Sequence, residues 1–383
     1  MPSQPHKTMT SFASDYNNGA HPLVLQHLVE TNSECSLSYG DDIWSRQARE
    51  KIRQACQCPD ADIFFLVGGT QTNATVIDGV LTGDEGVIAV STGHINVHES
   101  GAIEANGHKI ITLPSHDGKM TADDLERFHD SFYADPVYEH MVIPGIVYIT
   151  LPTELGTIYN KEELEAIFNV SHEFGMLLYV DGARLAYGLM AEGCDFDLPW
   201  LAHHCDAFYI GGTKCGALCG EAVVFPNSKF KIISHSVNGS YDKSQNSKLG
   251  SAKLGSAFHT PQGFFTHVKA HGALLAKSRL AGVQFDALFT DGLYFRIGQH
   301  AIDMAVKLRR IFQRHGYELK PSPTNQQFVV LENAQMQTLM QHVLFETWEP
   351  IDGQHTLCRF VTSWATTDDD LQVLDKSLSA LNF

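Results

Sequence analysis

Apolar residues fall in short runs along the first two-thirds of the chain, separated by segments with a helical period. Runs of strand length lie at 63–67, 86–90, 109–113, 146–151, 177–180 and 207–210, with a further one at 222–225. Several are continuously apolar rather than alternating, the pattern of strands covered on both faces. Between them, 71–81, 95–105, 121–132 and 161–174 read as helices, the third opened by Thr121 and Asp124 as a capping-box pair. The pair Asp41–Asp42 could suggest a metal site but reads rather as the cap of a helix starting at Ile43. Strands alternating with helices predict an α/β fold on a large, doubly wound, mostly parallel sheet.

The pattern changes near residue 250, after a polar, glycine- and serine-rich stretch at 243–255. Two helical stretches (262–290 and 293–315), strands at 327–331 and 357–362, and helices at 335–345 and 368–381 describe a smaller α+β unit. The expected division is therefore an N-terminal arm with a large α/β domain over residues 1–255, and a small C-terminal α+β domain over 256–383.

Composition narrows the function. The 383 residues are 43% hydrophobic and 19% charged, as expected of a globular protein. A formal net charge of −17 argues against nucleic acid and anionic membrane as partners. No apolar run is long enough to span a bilayer, and the N-terminus MPSQPHKTMTSF has no apolar core of a secretory signal. Eight cysteines in a chain of this length do not form a disulfide framework, so reduced thiols and a cytoplasmic protein are expected.

In open α/β sheets, ligands collect at the C-terminal strand ends. Three segments there carry chemistry. GGTQTN, residues 68–73, opens a helix whose free N–H groups suit a phosphate, although a glycine pair before a helix also makes a plain turn. Asp181 in YVDGAR is either a helix cap or a carboxylate held for a cationic ring nitrogen. Lys214 in GGTKCG is either a snorkelling lysine or a desolvated amine that forms a Schiff base with an aldehyde. Together, in this order, they describe a pyridoxal 5′-phosphate site, with the glycines beside Lys214 making room for ring and phosphate. His94 at a strand-to-helix junction is placed to stack on an aromatic ring. His94 and His98 have metal-ligand spacing but no third ligand is evident, so no metal is expected.

These segments carry a family resemblance. The chain resembles L-threonine aldolases of the pyridoxal-phosphate fold type I, aldolase/β-eliminating lyase group, and is most similar to the bacterial low-specificity and phenylserine-cleaving branch. The matching stretches are FASDYNNGAHP (12–22), YGDDIW (39–44), GGTQTN (68–73), GHINVHE (93–99), TLPTELGTIY (150–159), YVDGARLA (179–186), GGTKCG (211–216) and RFVTSWAT (359–366).

The resemblance implies cleavage of β-hydroxy-α-amino acids to glycine and an aldehyde. It implies that Lys214 carries the cofactor, Asp181 pairs with the ring nitrogen and His94 stacks on the ring. Gly69 and Thr70 would hold the phosphate, and Ser14, Arg184 and Arg359 the substrate carboxylate. It also implies a homo-oligomer, a dimer or dimer of dimers with shared sites, in which a basic residue of the 243–253 segment, Lys253 or Lys248, completes a neighbour's phosphate site. Many relatives place a second histidine in the segment matching 151–156; here that segment is LPTELG, and Glu154 is its ionisable group. A β-eliminating lyase or aminotransferase would use the same three anchors, and a non-catalytic phosphate-binding protein only the first.

Overall fold

The computed structural model describes residues 9–226, 261 and 263–381. Seven strands form the main sheet. In spatial order they are Asp62–Leu66, Glu221–Phe225, Ala207–Gly211, Leu177–Asp181, Ile143–Thr150, Glu85–Val90 and Ile110–Leu113. All neighbouring pairs are parallel except the two made by Glu221–Phe225, which alone runs against the rest. Six strand C-termini therefore share one edge of the sheet.

The continuous apolar runs have the cause expected of them. Ile88, Val147, Ile149, Leu178, Val180, Phe208 and Ile210 enter one buried cluster. Their alternate neighbours Val87, Ala89, Ile146, Tyr148, Tyr179, Ala207 and Tyr209 enter a second. Side chains two apart point to the same face, so both faces of the sheet are buried. The helix Ala122–Ala134 has the capping box read from Thr121 and Asp124. Asp42 caps the helix Ile43–Cys56 through the Ser45 N–H at 2.8 Å.

A second sheet of four antiparallel strands takes Glu346–Pro350, His355–Val361, Gln326–Glu332 and Leu319–Lys320 in that order. Its cluster combines Val329 and Leu331 with Phe360, Leu374 and the far half of the helix Leu293–Arg314, from Met304 onward. The expected division between 255 and 256 lies outside the described residues. Residues after it, including Phe264, Phe285, Tyr294 and Ile302, belong to the two clusters of the large sheet.

Three sequence expectations are corrected. The helix over 95–105 is reduced to His94–Val97 and a single 3-10 turn, because Ser100 (φ 52°) and Gly101 (φ 74°) turn the chain left-handed between them. The stretch 262–290 is two helices, Phe264–Ala270 and Arg279–Leu288, interrupted after Gly272 (φ 69°). The helix over 335–345 ends at Leu339, and Val343–Leu344 instead pairs in parallel with Thr10–Ser11. The strand Glu346–Pro350 was not anticipated. All eight cysteines are unpaired. No helix among the described residues is long and apolar enough to cross a membrane.

Candidate active site

The shared strand edge collects most of the residues singled out from sequence. Asp181 ends the strand Leu177–Asp181 and is 3% exposed. Its carboxylate accepts from Asn73 Nδ2 at 2.8 Å, from the Tyr148 hydroxyl at 2.7 Å and from the Ala183 N–H at 3.0 Å. Asn73 lies in the helix Gly69–Val80, so one side chain ties the glycine-opened helix to the strand tip. The Tyr179 hydroxyl in turn donates to Asn73 Oδ1 at 2.9 Å. Such charge-assisted bonds hold the carboxylate in one orientation.

Lys214 follows the strand Ala207–Gly211 and is half-buried. Burial lowers the pKa of its amine and nearby Arg184 adds to that, while Asp15, Asp181 and Glu221 pull the other way without reversing it. Among the described residues Nζ has no hydrogen-bond or ion-pair partner; it lies 5.7 Å from the centre of the Tyr16 ring. The flanking glycines serve the protein's own packing. A Cβ on Gly211 would run into the Ala183 carbonyl, one on Gly182 into the Tyr209 carbonyl, and one on Gly212 into the Phe285 ring. The loops bearing Asp181 and Lys214 thus lie backbone against backbone, joined by Gly211 N–H to Gly182 O at 3.0 Å.

His94 opens the short helix after the strand Glu85–Val90. Its Nδ1 is 2.7 Å from Glu99 Oε1, and its backbone N–H donates to Glu154 Oε1 at 3.0 Å. Burial alone would push the imidazole pKa down, but the Glu99 hydrogen bond and the charges of Asp181 and Glu99 raise it. His98 lies beside it, ring centres 5.6 Å apart, without joining a metal-type cluster among the described residues. Glu154 accepts from Thr150 Oγ1 at 2.9 Å, and burial pushes its pKa up to about 7. Thr150 sits opposite Asp181 in the sheet register, which sets Glu154 beside the Asp181 tip.

Gly69 and Thr70 form the first turn of the helix Gly69–Val80, whose N-cap Gly68 offers no side-chain acceptor; Thr70 is exposed. The turn's free N–H groups and the positive dipole end are available to an anion. Lys253 and Lys248 lie outside the described residues.

Ser14, Arg184 and Arg359 come from three distant segments. The stretch from Thr10 runs along the small sheet, with Phe12 N–H bonded to Leu344 O at 2.7 Å and Val361 N–H to Phe12 O at 2.7 Å. It delivers Ser14 and Asp15. Ser14 Oγ is buried with no partner among the described residues. Arg184 grips Asp15 through two bonds of 2.7 and 3.0 Å, so its fork is turned toward a protein carboxylate. Arg359 donates to Gln326 Oε1 at 2.9 Å and to Glu346 Oε2, lies 4.7 Å above the Trp348 ring, and leaves a buried Nε unpaired. The charges of Arg184 and Asp15 both act on Arg359, which places the three residues in one electrostatic neighbourhood.

Sequence reasoning missed Asp15, Asn73, Glu99, Tyr148 and Glu346. Asn73 and Glu99 stand inside the quoted GGTQTN and GHINVHE segments, and Asp15 directly follows Ser14; their place in those segments was the available signal.

The beta-eliminating lyase family profile matches residues 12–343. A low specificity L-threonine aldolase from a Pseudomonas species is 28% identical over 97% of this chain and 97% of its own length. The structure of a threonine aldolase from Leishmania major superposes with a TM-score of 0.85 at 36% identity, covering 97% of this chain and 99% of that one. Aspartate aminotransferase from Thermus thermophilus, at 14% identity, covers 97% of this chain and 91% of its own with a TM-score of 0.61, a likeness of fold alone.

Proposed function

The chain belongs to the beta-eliminating lyase family, and from that premise we propose that it cleaves L-threonine, L-allo-threonine and related β-hydroxy-α-amino acids to glycine and an aldehyde. The observation that carries the reading is the fixed Asp181 carboxylate, held by Asn73 and Tyr148, beside a lysine whose pKa burial has lowered.

The donor set fits pyridoxal 5′-phosphate. Lys214 supplies an amine for its aldehyde, Asp181 an anion for its ring nitrogen, His94 a flat ring, and the turn at Gly69 and Thr70 N–H groups for its phosphate. Bound there, the cofactor supplies a sink for the electron pair left on Cα when a bond to it breaks. The chain's own residues do the rest. Asp181 keeps its charge aimed at one point. Arg359 and Ser14 bring a buried donor each to a carboxylate, and Arg184 braces this group through Asp15. Glu154 accepts the β-hydroxyl proton. Its pKa of about 7 suits a base that must both take up and return a proton near neutrality. Glu99 orients the His94 ring through Nδ1.

The reading extends to a cytoplasmic homo-oligomer, a dimer or dimer of dimers, whose neighbouring Lys253 completes the phosphate site. Exposed apolar side chains on the helix Pro22–Thr31 and beyond support it: Val29 is 68% exposed, Leu37 64% and Ile43 56%. An active monomer in sedimentation would contradict it. The test of the reaction is product analysis with L-threonine. Glycine and acetaldehyde in equal amounts are expected; ammonia with a keto acid would point instead to elimination or transamination.

A further inference from the structure

Near the far end of the helix Gly69–Val80, three side chains converge that the proposed reaction does not use. Asp78, His267 and His271 bring one ligand-type atom each within 4.8 Å of one another. Asp78 Oδ2 is 2.8 Å from His267 Nδ1 and 2.9 Å from His271 Nε2. All three side chains are partly buried, at 24%, 37% and 14% exposed.

The chain builds this cluster by simple means. His267 and His271 are one helical turn apart, with the His271 N–H bonded to His267 O at 2.9 Å, so their rings share a helix face. Gly79 lets that helix approach: a Cβ there would meet Phe264 ring carbons at 2.8 and 2.9 Å. Gln71 Nε2 adds a bond to the His271 carbonyl at 2.9 Å.

A third histidine sharpens the case. His108 is nearly buried, and its Nδ1 lies 3.1 Å from the Glu85 carbonyl oxygen. A carbonyl only accepts, so Nδ1 carries the hydrogen, which leaves Nε2 as the ring's metal-type donor atom. That Nε2 is 3.5 Å from Asp78 Oδ1. An imidazole held by a backbone carbonyl on its other nitrogen is also the usual support of a metal-binding histidine.

We propose that Asp78, His267 and His271 bind one divalent transition cation, with His108 Nε2 as the adjacent fourth donor. Two or three imidazoles and one carboxylate favour zinc(II), cobalt(II) or nickel(II) over calcium or magnesium, which take oxygen ligands. Metal–ligand bonds of about 2.0–2.2 Å put tetrahedral donors roughly 3.3 Å apart, so the pairs in hydrogen-bond contact need part by only about half an ångström. The ion would pin the helix Phe264–Ala270 to the helix whose first turn is Gly69 and Thr70. The site is separate from the proposed reaction, and its test does not depend on that reaction.

The experiment uses the full chain, free of affinity-tag histidines and dialysed against chelator. Zinc(II) binding is measured by competition with a chromophoric chelator, and the unfolding temperature is read with and without zinc. One zinc per chain and a zinc-dependent rise in unfolding temperature are expected. His267→Gln and His271→Gln, with folding checked by circular dichroism, should each weaken binding by roughly tenfold or more and remove the rise. No stoichiometric uptake, or unchanged affinity in both folded variants, overturns the proposal. Should the variants misfold, cobalt(II) titration of the wild-type chain decides. An intense four-coordinate visible spectrum supports the site, and only the weak bands of the hydrated ion refute it.

Discussion

The two sides of the proposed site are built differently. Around Asp181 every contact is internal and complete: Asn73, Tyr148 and Ala183 all donate to a carboxylate on a rigid strand tip. Around Arg359 the set is provisional. Ser14 Oγ and Arg359 Nε are buried without partners among the described residues, and the Arg359 fork rests on Glu346, a side chain 38% exposed on an edge strand. Arg184 falls between, its partner Asp15 being fully buried. A buried polar group left unpaired costs about 1–3 kcal/mol, so the second side stands to gain from a carboxylate that the first does not need. On the proposed reading, the difference predicts that changes on the Asp181 side act on turnover and changes on the Arg359 side on substrate affinity.

The sharpest way to break this comparison is Asp181→Asn. The amide keeps its shape but loses the charge, and kcat should fall about 10²–10³-fold, near the ~3–4 kcal/mol that removing a preorganised partner costs, with cofactor retained. Near-normal kcat would reduce Asp181 to a helix cap. Glu154→Gln comes next, with an expected loss of about 10²-fold. A base works deprotonated, so wild-type kcat should climb as pH rises through about 7, and the variant should lack that limb. The stability sign runs opposite. Because the folded-state pKa is raised from 4.5 to about 7, the contribution of the protonated form is complete below 4.5 and is lost as pH rises through about 7. An unchanged acid limb in Glu154→Gln would move the base elsewhere, His94 being nearest.

On the other side, Arg359→Ala should raise KM for L-threonine at least about tenfold, as expected when one partner of a buried charged pair is cut, and leave the bound-cofactor absorbance unchanged. Discrimination between L and D substrates should relax. Normal KM would assign the carboxylate to Arg184 or Ser14. The smallest effect is Glu346→Gln. It frees the Arg359 fork from a partly exposed partner, a pair of the kind worth about 0–1 kcal/mol, so KM should fall by no more than about fivefold. A rise in KM would show that Glu346 positions Arg359 rather than competes for it.

The Asp181 side was legible in the sequence and the Arg359 side only in part, for a physical reason. Continuous apolar runs announce strands buried on both faces, and a polar residue directly after such a run is a strand tip. Asp181 was singled out that way, and Lys214, His94 and Gly69 from the loops that follow such runs. Asp15 and Arg184 are 169 positions apart, and no local pattern joins them. Glu346 lies in a short polar edge strand ending in Pro350, which lacks the apolar signature of a strand. The same limit explains the lost end of the helix over 335–345, where Val343–Leu344 is claimed by Thr10–Ser11 from the opposite end of the chain. Local propensity also gave no warning that Ser100 takes φ 52° and breaks the helix over 95–105. The polar stretch at 243–255 read as a boundary, yet core membership passes from one sheet to the other inside the helix Leu293–Arg314.

The central claim is that Lys214 holds the cofactor covalently, and one measurement addresses it directly. The purified protein is reduced with borohydride in the presence of pyridoxal 5′-phosphate, digested, and its peptides mapped by mass. The account predicts a single stoichiometric phosphopyridoxyl modification, on Lys214, and none in Lys214→Ala. A stoichiometric label on any other lysine, or none at all, would contradict it.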